Sequence, residues 1–533
     1  LQLLEPYSRR LLPLRDRLRI EMLRADAWIQ KQNPARAIEL MSHRETWLSS
    51  SKKIRLNRSR LWQGLLYSNP QVLRKASQIA TNKQTRGWLT LGSLATSTGQ
   101  QGIGWNHGIF RWRLANPGHP ALAIIGESES FDQELLNYPR KVALLLPLSG
   151  HSAAAGKAIQ HGFLGGYFAT AAALDNQQSL RIYDVNAEGG ASAAYQKAVE
   201  NGAEFVIGPL LKNNVTELAN KALIPVPVLT LNYLPDDAST PPNLYQFALA
   251  PEDEAASAAY RILGDGYTRA VALVPNNDWG RRTLQSFITE FEGLGGTLLD
   301  YRSYTLDKQD FSNEIESLMG LSGSVKRYQR LRENIGGSLE FDPRRRQDTE
   351  FIFLAAAAGP GRLLKSQLKF HYSGDLPVYS TSSVNSLDGR SDSDLNGIMF
   401  TDIPWLISPQ PWIRYLPEIY NKHWPEERRL GRLHAMGYDA YNLIASLFAN
   451  HDDKMGELSG ATGNLFLDRQ GRVHRRLAWA QFQRGKAIAL PNQEKVSGPI
   501  QNTTDDGIKI APAATDESPW GGIPQQLEKP WIP

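Results

Sequence analysis

Lys141-Val-Ala-Leu-Leu-Leu-Pro-Leu-Ser-Gly150 opens an α/β unit in the second quarter of the chain. Its first part, Val142–Pro147, is apolar on both faces, which is typical of a strand buried inside a parallel sheet. Farther on, Ile159, Phe163 and Tyr167 recur at four-residue steps. Because residues four apart share one face of a helix, this stripe predicts a helix that packs against the strand.

The same alternation of short apolar runs and longer helical stretches continues in two series, one on each side of Asn243–Pro251. Runs of strand length lie at Leu180–Val185, Phe205–Gly208, Val226–Leu231, Ala270–Pro275, Thr297–Tyr301, Phe351–Ala356, Pro377–Thr381 and Gly397–Phe400. We therefore predict an α/β fold of two doubly wound lobes with a cleft between them. In such sheets, ligands bind at the carboxyl ends of the strands.

Three local patterns refine the second series. Asp278 is predicted as the N-cap of a helix that ends at Gly295-Gly296. Gly320–Arg346, with scattered glycines and three consecutive arginines, is interpreted as a surface insertion. Leu465–Phe482 is predicted to form a hairpin that turns at Asp468–Gly471.

The first 120 residues carry helical patterns in place of strand-length runs. Trp88, Leu91 and Gly92 begin one helix, and Pro117 follows Trp88 by 29 residues, a spacing similar to that of tetratricopeptide repeats. The predicted organisation is an all-α tetratricopeptide-like domain (1–125), a linker (126–139), an α/β domain (140–490) and a disordered tail (491–533). Lobe 1 of the α/β domain is expected at 140–249 and 405–458, and lobe 2 at 250–404 and 459–490.

Composition excludes several classes of function. The chain has no cysteine, which excludes disulfides, thiolate metal sites and cysteine nucleophiles. It also has no run of 18 apolar residues of the kind that spans a membrane. Residues 1–120 contain twenty Lys and Arg against six Asp and Glu. This basic surplus predicts contact with a polyanion, an acidic partner or a membrane surface, or else a merely solvated basic surface.

Enzyme signatures are not met. Gly359–Ser366 departs from a phosphate-binding loop at Leu364, and Gly320–Ser324 lacks the final glycine of a nucleophile elbow. The ten histidines show no metal-ligand spacing. His151 and His161 are interpreted as surface or cap residues, because no carboxylate partner stands at a fixed spacing. We expect no catalytic residue, no metal site and no cofactor.

Several segments, taken in order, resemble the type I periplasmic binding proteins. Besides Lys141–Gly150 and Gly156–Phe163, they are Val206–Leu210, Val228–Asn232, Asn276–Gly280, Gly437–Tyr441 and the closing segment Gly463–Phe482. The resemblance covers about 139–490. It implies a two-lobed, periplasmic-binding-protein-like domain.

Within that superfamily the chain is similar to the LppC family of outer-membrane lipoproteins. The segments that carry the similarity are Gly208–Asn214, Leu229–Tyr233, Gln246–Glu254, Pro275–Gly280, Arg327–Arg330 and Arg344–Asp348. The family joins a tetratricopeptide-like domain to the binding-protein-like domain, and the helical part of this chain is expected to be incomplete or shortened.

The resemblance implies a non-enzymatic regulator of peptidoglycan synthesis and cell shape. Such a protein binds a class A penicillin-binding protein and stimulates its transpeptidase activity. It is anchored on the periplasmic side of the outer membrane through a lipidated cysteine, which is absent from this chain. Contact with peptidoglycan or another anionic envelope polymer is compatible with this role, whereas nucleic acid is not expected as a partner.

Cleft candidates are the turns at the strand ends. They are Ser149, Gly150, Gly208, Pro209, Thr230, Asn232, Asn276, Asp278, Ser380 and Ser382. Backbone N–H groups at helix N-termini beside such turns can hold an anion, which favours a pocket for an amino-acid-like or muropeptide-like ligand. The alternative is that the turns only shape the fold. Leu211 and Lys212 stand where amino-acid-binding relatives place paired hydroxyls, and this favours the alternative.

Partner-contact candidates are Arg327, Arg330, Arg344, Arg345 and Arg346, because guanidinium groups pair with carboxylates in two-pronged fashion. A solvated charged loop is the alternative. At the level of the whole protein, the rival hypothesis is a periplasmic solute receptor for an amino acid or a peptide. A nucleic-acid binder acting through residues 1–120 is a third hypothesis, but it lacks interleaved aromatic residues.

Overall fold

The structure of the chain is a computed structural model that describes most of the molecule. The described residues are 12–98, 102–125, 138–171, 178–221, 223–235, 237–335, 340–388, 392–409, 413–414, 416–448 and 457–491. The predicted linker (126–139) and disordered tail (491–533) fall almost entirely outside these ranges.

The first part of the chain is helical, as the sequence predicts. Its helices are α1 (Leu14–Gln30), α2 (Pro34–Glu45), α3 (Ser51–Leu66), α4 (Pro70–Ile79), α5 (Lys83–Thr98), α6 (Gly102–Ala115) and α7 (Leu122–Ile125). Asn33 and Asn69 each precede a proline and cap the next helix, because their side-chain oxygens accept from backbone N–H groups of its first turn. Trp88, Leu65 and Ile38 lie in the core that these helices share.

Two α/β series follow. The first has β1 (Lys141–Leu146), α8 (Ala153–Ala171), β2 (Ser179–Asp184), α9 (Ala191–Glu200), β3 (Phe205–Ile207), α10 (Lys212–Ala219), β4 (Val228–Thr230) and β5 (Leu244–Phe247). The second has α11 (Pro251–Gly264), β6 (Arg269–Pro275), α12 (Asp278–Gly293), β7 (Thr297–Tyr304), α13 (Ser312–Leu318), α14 (Leu321–Ile335), β8 (Phe351–Leu354), α15 (Ala358–Phe370), β9 (Val378–Ser380) and β10 (Ile398–Asp402).

The closing part returns to both series. It comprises α16 (Pro404–Ile407), α17 (Leu416–His423), a short 3₁₀ segment (Pro425–Leu430), α18 (Gly431–Phe448), β11 (Leu458–Ser459), β12 (Asn464–Leu467), β13 (Arg472–Arg476), β14 (Ala478–Gln483) and β15 (Lys486–Ala489).

These strands form two separate sheets, which confirms the two-lobed α/β fold class. The order in the first sheet is β11-β12-β13-β5-β4-β3-β1-β2, and the order in the second is β15-β14-β10-β9-β8-β6-β7. Strands β1 to β5 pair in parallel, as do β6 to β10. The chain crosses between the sheets after β5, after β10 and after β13.

Two predictions about the closing part are corrected. The antiparallel hairpin is β12–β13 and ends at Arg476, whereas β14 pairs with β10 in the other sheet. Residues 459–476 therefore lie in the first sheet, whereas 459–490 are predicted in lobe 2. The predicted joining segment Asn243–Pro251 also contains β5, which is not among the predicted strands.

Helices cover both faces of each sheet. Residues of α8 and α18 share one core with the first sheet, and residues of α9 and α10 share another on its opposite face. The second sheet is covered by α13 to α15 on one face and by α11 and α12 on the other. No helix in the described ranges is both long and apolar enough to cross a membrane.

Helices α8 and α18 approach so closely that two glycines are required at their contact. A Cβ on Gly162 would lie 1.9 Å from the backbone oxygen of His434, and one on Gly437 would lie 2.0 Å from that of Ile159. Any side chain would force the two helices apart. The glycines of the sequence motifs Gly156–Phe163 and Gly437–Tyr441 thus set the packing of lobe 1.

The helical part packs directly on lobe 1. Helices α5 and α6 contact α8, and α6 also contacts α18. Farther along this junction, Arg414 donates a hydrogen bond to the backbone oxygen of Tyr67 at 2.5 Å, and its guanidinium group lies 5.5 Å from the ring centre of Tyr67.

Candidate functional site

The turn after β1 lies on the lobe 1 side of the predicted cleft. Ser149 and Gly150 are exposed there. The backbone N–H of Leu148 donates to Asp184 at 2.9 Å, and Asn186 Nδ2 donates to the Ser149 carbonyl at 2.7 Å. Desolvation would raise the pKa of Asp184, yet hydrogen bonds from Ser149, Leu148 and Asn186 leave it lowered. The ionised Asp184 therefore holds this turn in place.

The turn after β3 depends on Gly208. Its φ is +96°, and a Cβ at this position would lie 2.0 Å from the backbone oxygen of Leu145. Only glycine fits such a conformation at such a close approach. The bond from Gly208 to Pro209 is cis, and the Pro209 carbonyl accepts from the N–H of Leu231 at 2.9 Å. Gly208 and Pro209 thus shape the strand edge.

Thr230 and Asn232 follow β4 and make their hydrogen bonds inside lobe 1. Thr230 is fully buried, and its hydroxyl lies 2.9 Å from the Asn232 carbonyl and 3.1 Å from that of Tyr245. Asn232 donates to the Leu210 carbonyl at 3.2 Å. These contacts connect neighbouring turns of the first sheet.

The lobe 2 side begins after β6. Asn276 is exposed, and its N–H donates to the Tyr304 carbonyl. Asn277, not Asp278, is the N-cap of α12, because Asn277 Oδ1 accepts from the Gly280 N–H at 2.8 Å. This corrects the predicted cap by one residue. Asp278 is the first helical residue and points to solvent, with 82% of its side chain exposed.

Asp278 faces positive charge from both lobes. Its hydrogen bond with Arg281 is the main cause of its lowered pKa, and the charges of Arg281, Arg282 and Lys212 lower the pKa further. Lys212 begins α10 in lobe 1, directly after the Gly208 turn. The turns after β3 and β6 therefore lie within electrostatic range of each other across the cleft.

Ser380 and Ser382 lie at the end of β9 and are buried. Ser380 donates to the Leu354 carbonyl at 2.7 Å. The N–H and hydroxyl of Ser382 both bond to the buried carboxylate of Glu254, at 2.9 and 2.8 Å. Burial raises the pKa of Glu254, and nearby guanidinium groups lower it in part. The hydroxyls of Ser380 and Ser382 are therefore already bonded to groups of the protein, whereas the buried hydroxyl of Thr381 between them has no bonding partner among the described residues.

Arg432 joins the two lobes. It begins the last long helix of lobe 1, α18, and forms a two-pronged ion pair with Asp402 at the end of β10, at 2.9 and 2.7 Å. Its guanidinium group also donates to the carbonyls of Ser382 and Asn385, both in lobe 2. Asp402 is fully buried, so Arg432 neutralises a charge that water does not reach.

A second set of charged groups joins α11 of lobe 2 to β13 of lobe 1. The Asp253 carboxylate lies 2.9 Å from His474 Nδ1 and 3.3 Å from Arg475 Nε. On its other side, His474 Nε2 lies 3.0 Å from Asp468. Burial would lower the pKa of His474, but Asp253 and Asp468 raise it to about 9. His474 is therefore protonated at neutral pH and bridges two carboxylates.

The predicted surface insertion contains a basic helix, α14. Arg327 and Arg330 lie on it and are exposed, and Arg344 is exposed beside it. Within the described residues, the side chains of these three arginines form no ion pair. The backbone N–H of Arg344 lies 3.4 Å from Ser324 Oγ, which holds the segment against α14.

The other two partner-contact candidates, Arg345 and Arg346, are paired within lobe 2. Arg345 contacts Asp375 at 2.5 Å. Arg346 forms a two-pronged pair with Asp348 at 2.7 and 2.8 Å and lies 3.9 Å from Asp300. These two side chains anchor the segment, whereas Arg327, Arg330 and Arg344 present positive charge to solvent.

Sequence reasoning missed the charged groups between the lobes and a pocket in the helical part. The pocket, about 330 Å³ in volume, lies between α1, α2 and α3 and is bordered by the Asp26–Arg60 ion pair. The partners between the lobes come from distant segments, such as Asp253 and His474. No spacing in the sequence signals such pairs.

His161 is also corrected. The sequence places no carboxylate at a fixed spacing from His161 and so predicts a surface or cap residue. In the structure its Nδ1 lies 2.9 Å from Glu427 Oε2. The two residues are 266 positions apart in the sequence, so no local spacing signals this contact.

The fold and the site together define a class of protein: a two-lobed, type I periplasmic-binding-protein-like domain that carries a helical domain on its first lobe. Most of the buried hydroxyls at the strand ends bond to the protein itself, and charged side chains join the lobes.

The chain belongs to the LppC family. Residues 3–485 match the family described as "LppC putative lipoprotein". Penicillin-binding protein activator LpoA of Photobacterium profundum is 30% identical over 467 residues, which cover 86% of this chain and 75% of the relative. The family expected from the sequence is thereby confirmed.

Solved structures agree with this assignment. A monoclinic crystal form of full-length LpoA from Haemophilus influenzae has a TM-score of 0.53 and 26% identity, with 90% of this chain and 82% of that chain covered. The C-domain of H. influenzae LpoA, described as a regulator of PBP1A, has a TM-score of 0.52 and 26% identity, with 66% and 100% covered. A protein from Rhodospirillum rubrum described as a "putative branched-chain amino acid ABC transporter" has a TM-score of 0.52 and 18% identity, with 66% of this chain and 99% of that chain covered. This match confirms the binding-protein-like fold of the C-terminal part.

Proposed function

We propose that this chain is a penicillin-binding protein activator: it binds a class A penicillin-binding protein and stimulates its transpeptidase activity. The observation that carries this proposal is the 30% identity, over 86% of the chain, to a relative named as such an activator. The chain would act by binding the active conformation of the synthase more tightly than the inactive one. It would supply no catalytic group of its own.

The proposed location is the periplasmic side of the outer membrane. Membership of a lipoprotein family supports an envelope lipoprotein. The outer-membrane anchor and its lipidated cysteine, which this chain does not contain, are part of the proposal. The basic helical part, docked on lobe 1, would then lie between the anchor and lobe 2.

The α14 surface, defined by Arg327, Arg330 and Arg344, is the proposed contact for the partner. Its three guanidinium groups are exposed, and each can pair with a carboxylate on a facing protein. Arg345 and Arg346 would contribute by holding this surface in place, since both are paired within lobe 2.

The comparisons do not favour a solute receptor. The cleft also gives that hypothesis little support, because the hydroxyls of Thr230, Ser380 and Ser382 bond inside their own lobes. The exposed groups Ser149 and Asn276 stay candidates for contact with a peptidoglycan fragment.

The test is a binding and activity assay with a purified class A penicillin-binding protein. The chain should bind the synthase and increase peptidoglycan cross-linking. The double substitution Arg327→Glu/Arg330→Glu should weaken binding at least about tenfold, because two attractive contacts become repulsive. Lys369→Glu/Lys486→Glu changes the charge of lobe 2 equally at two other exposed positions and serves as the matched control.

Two results separate the parts of this proposal. Equal binding by both double variants would place the partner contact elsewhere while leaving the activator function intact. If the unaltered chain neither bound any class A penicillin-binding protein nor changed cross-linking, the proposed function would be wrong.

A further inference from the structure

Three potential metal ligands meet on lobe 1, outside the cleft and the α14 surface. His161 comes from α8, Glu427 from the 3₁₀ segment Pro425–Leu430, and His434 from α18. The Glu427 Oε2 atom lies 2.9 Å from His161 Nδ1 and 2.8 Å from His434 Nε2. One ligand atom of each residue lies within 4.8 Å of those of the other two.

The surrounding side chains hold these ligands in fixed positions. The Trp424 ring stacks on the imidazole of His161 with ring centres 4.3 Å apart. The hydroxyl of Tyr420 donates to the His161 carbonyl at 2.8 Å, and its ring lies 4.8 Å from that of His434. The close approach at Gly162 then fixes the distance between α8 and α18. The ligands therefore belong to a rigid contact between helices.

Burial is graded across the cluster. The exposed fraction of the side chain falls from 20% for His161 to 12% for Glu427 and 3% for His434. An ion could thus enter from the His161 side. It would be shielded from water on the His434 side, which strengthens its attraction to the carboxylate.

The donor set matches one group of metals. Two imidazole nitrogens and one carboxylate oxygen are the ligands that Zn²⁺ and neighbouring divalent transition metals prefer, at about 2.0–2.2 Å. Mg²⁺ and Ca²⁺ prefer oxygen ligands. Small side-chain movements would exchange the two hydrogen bonds of Glu427 for metal–ligand bonds.

We propose that His161, Glu427 and His434 form a binding site for one Zn²⁺-class ion, with the fourth position open to water or to a ligand from another molecule. The ion connects the first helix of the α/β domain to its last long helix. The proposal does not depend on the proposed activator function, since it concerns lobe 1 of the isolated chain.

The alternative is that Glu427 accepts hydrogen bonds from the two imidazoles and no ion binds. Zn²⁺ titration of chelator-treated chain, produced without a histidine tag and followed with a chromophoric competitor, separates the two. If the site exists, one Zn²⁺ ion should bind tightly to each chain, and the melting temperature of the chain should rise when Zn²⁺ is added. Co²⁺ in the same site should give the visible absorption of a four-coordinate ion.

Variants identify the ligands. His161→Gln and Glu427→Gln should each weaken Zn²⁺ binding at least about tenfold. Loss of a residue that only orients a metal ligand already weakens metal binding by about tenfold or more, and these two residues are themselves ligands. His151→Gln removes an exposed imidazole close by in the sequence and should bind Zn²⁺ like the unaltered chain. Because both ligand variants alter partly exposed side chains, they are better tests than His434→Gln, which could disturb folding.

The absence of saturable binding at one ion per chain would overturn the proposal. So would binding that His161→Gln and Glu427→Gln leave unchanged, because the ion would then lie elsewhere.

Discussion

At the residue scale, two glycines allow helices α8 and α18 to pack against each other in lobe 1. Gly162 and Gly437 lie where α8 and α18 contact each other. A Cβ atom added to either glycine would lie within 2.0 Å of a backbone oxygen of the other helix. Backbone atoms cannot rotate away as a side chain can. The cost of a larger residue is therefore a displacement of the helices.

Gly437→Ala should lower the free energy of unfolding by about 3 kcal/mol, through overpacking against the Ile159 carbonyl. Denaturant titration measures this change. Gly293→Ala, in α12, adds a Cβ that meets no atom within 4 Å and should be neutral or stabilising by up to about 1 kcal/mol. Equal effects of the two substitutions would contradict the packing argument.

His474 should make stability depend on pH. Its pKa is about 9 in the folded chain, above the roughly 6.5 of an unfolded chain. The stabilisation is therefore complete below about pH 6.5 and is lost as the pH rises towards 9. We expect a loss on the order of 2 kcal/mol over this interval, measured by denaturant titration at several pH values.

His474→Gln should be less stable than the unaltered chain at pH 6.5 and should show a flatter pH profile. His423→Gln is the control, because it removes an exposed imidazole that does not bridge two carboxylates as His474 does. A steep loss that persists in His474→Gln would assign the pH dependence to another group.

At the element scale, the junction between α18, β9 and β10 holds the lobes together. Arg432 at the start of α18 reaches Asp402 and two carbonyls of lobe 2. Removing the guanidinium group would leave a fully buried carboxylate unpaired. Breaking a buried ion pair in this way costs more stability than a surface ion pair contributes.

Arg432→Met should lower the free energy of unfolding by about 3 kcal/mol or more, because it removes the positive charge paired with the buried Asp402. That carboxylate would retain its hydrogen bonds from Asn385 and Ile403 but not its countercharge. Arg429→Met replaces a nearby exposed arginine and should change stability by less than about 1 kcal/mol. The measurement is denaturant unfolding of both variants. If Arg432→Met were as stable as Arg429→Met, the pair would not hold the lobes together.

Elements with a strong local signal were predictable from the sequence. The apolar runs at 142–147, 270–275 and 351–356 coincide with β1, β6 and β8 to within two residues at either end, because burial on both faces of a parallel sheet demands such runs. The short β5 was missed, since Leu244–Phe247 resembles the loop around it. The sequence of α14 predicts only an insertion, because Gly323 and the many charges obscure the helical pattern.

The candidate site was predictable only in part. Turns such as Gly208-Pro209 were recognisable from their residues and from the family resemblance. The hydrogen bonds of Ser382 and the pairing of Arg345 with Asp375 depend on tertiary contacts. A sequence shows which hydroxyls and charges stand at a turn, but not whether the protein has already bonded them.

At the scale of the whole molecule, the helical part contacts lobe 1, and three of the buried hydroxyls at the strand ends are bonded to the protein itself. A solute receptor would gain stability from its ligand, about 2.7 kcal/mol at a concentration one hundred times the dissociation constant. The hydroxyls of Thr230, Ser380 and Ser382 are buried and donate their O–H groups to the protein, so they offer no donor to such a ligand.

We therefore expect no rise in melting temperature with free amino acids or short peptides, measured by thermal denaturation over a range of concentrations. A class A penicillin-binding protein should instead protect the chain, for example against proteolysis. A saturable thermal shift with one amino acid would contradict this expectation and revive the receptor hypothesis.

The contact of α5 and α6 with α8 and α18 has a mechanical consequence. Because of these contacts we expect the helical part and the first sheet to move together, with bending at the three places where the chain passes between the sheets. A change in the angle between the lobes would move the arginines of α14 relative to the helical part and the first sheet. A protein that contacts both the helical part and α14 would therefore bind more tightly at one interlobe angle than at others.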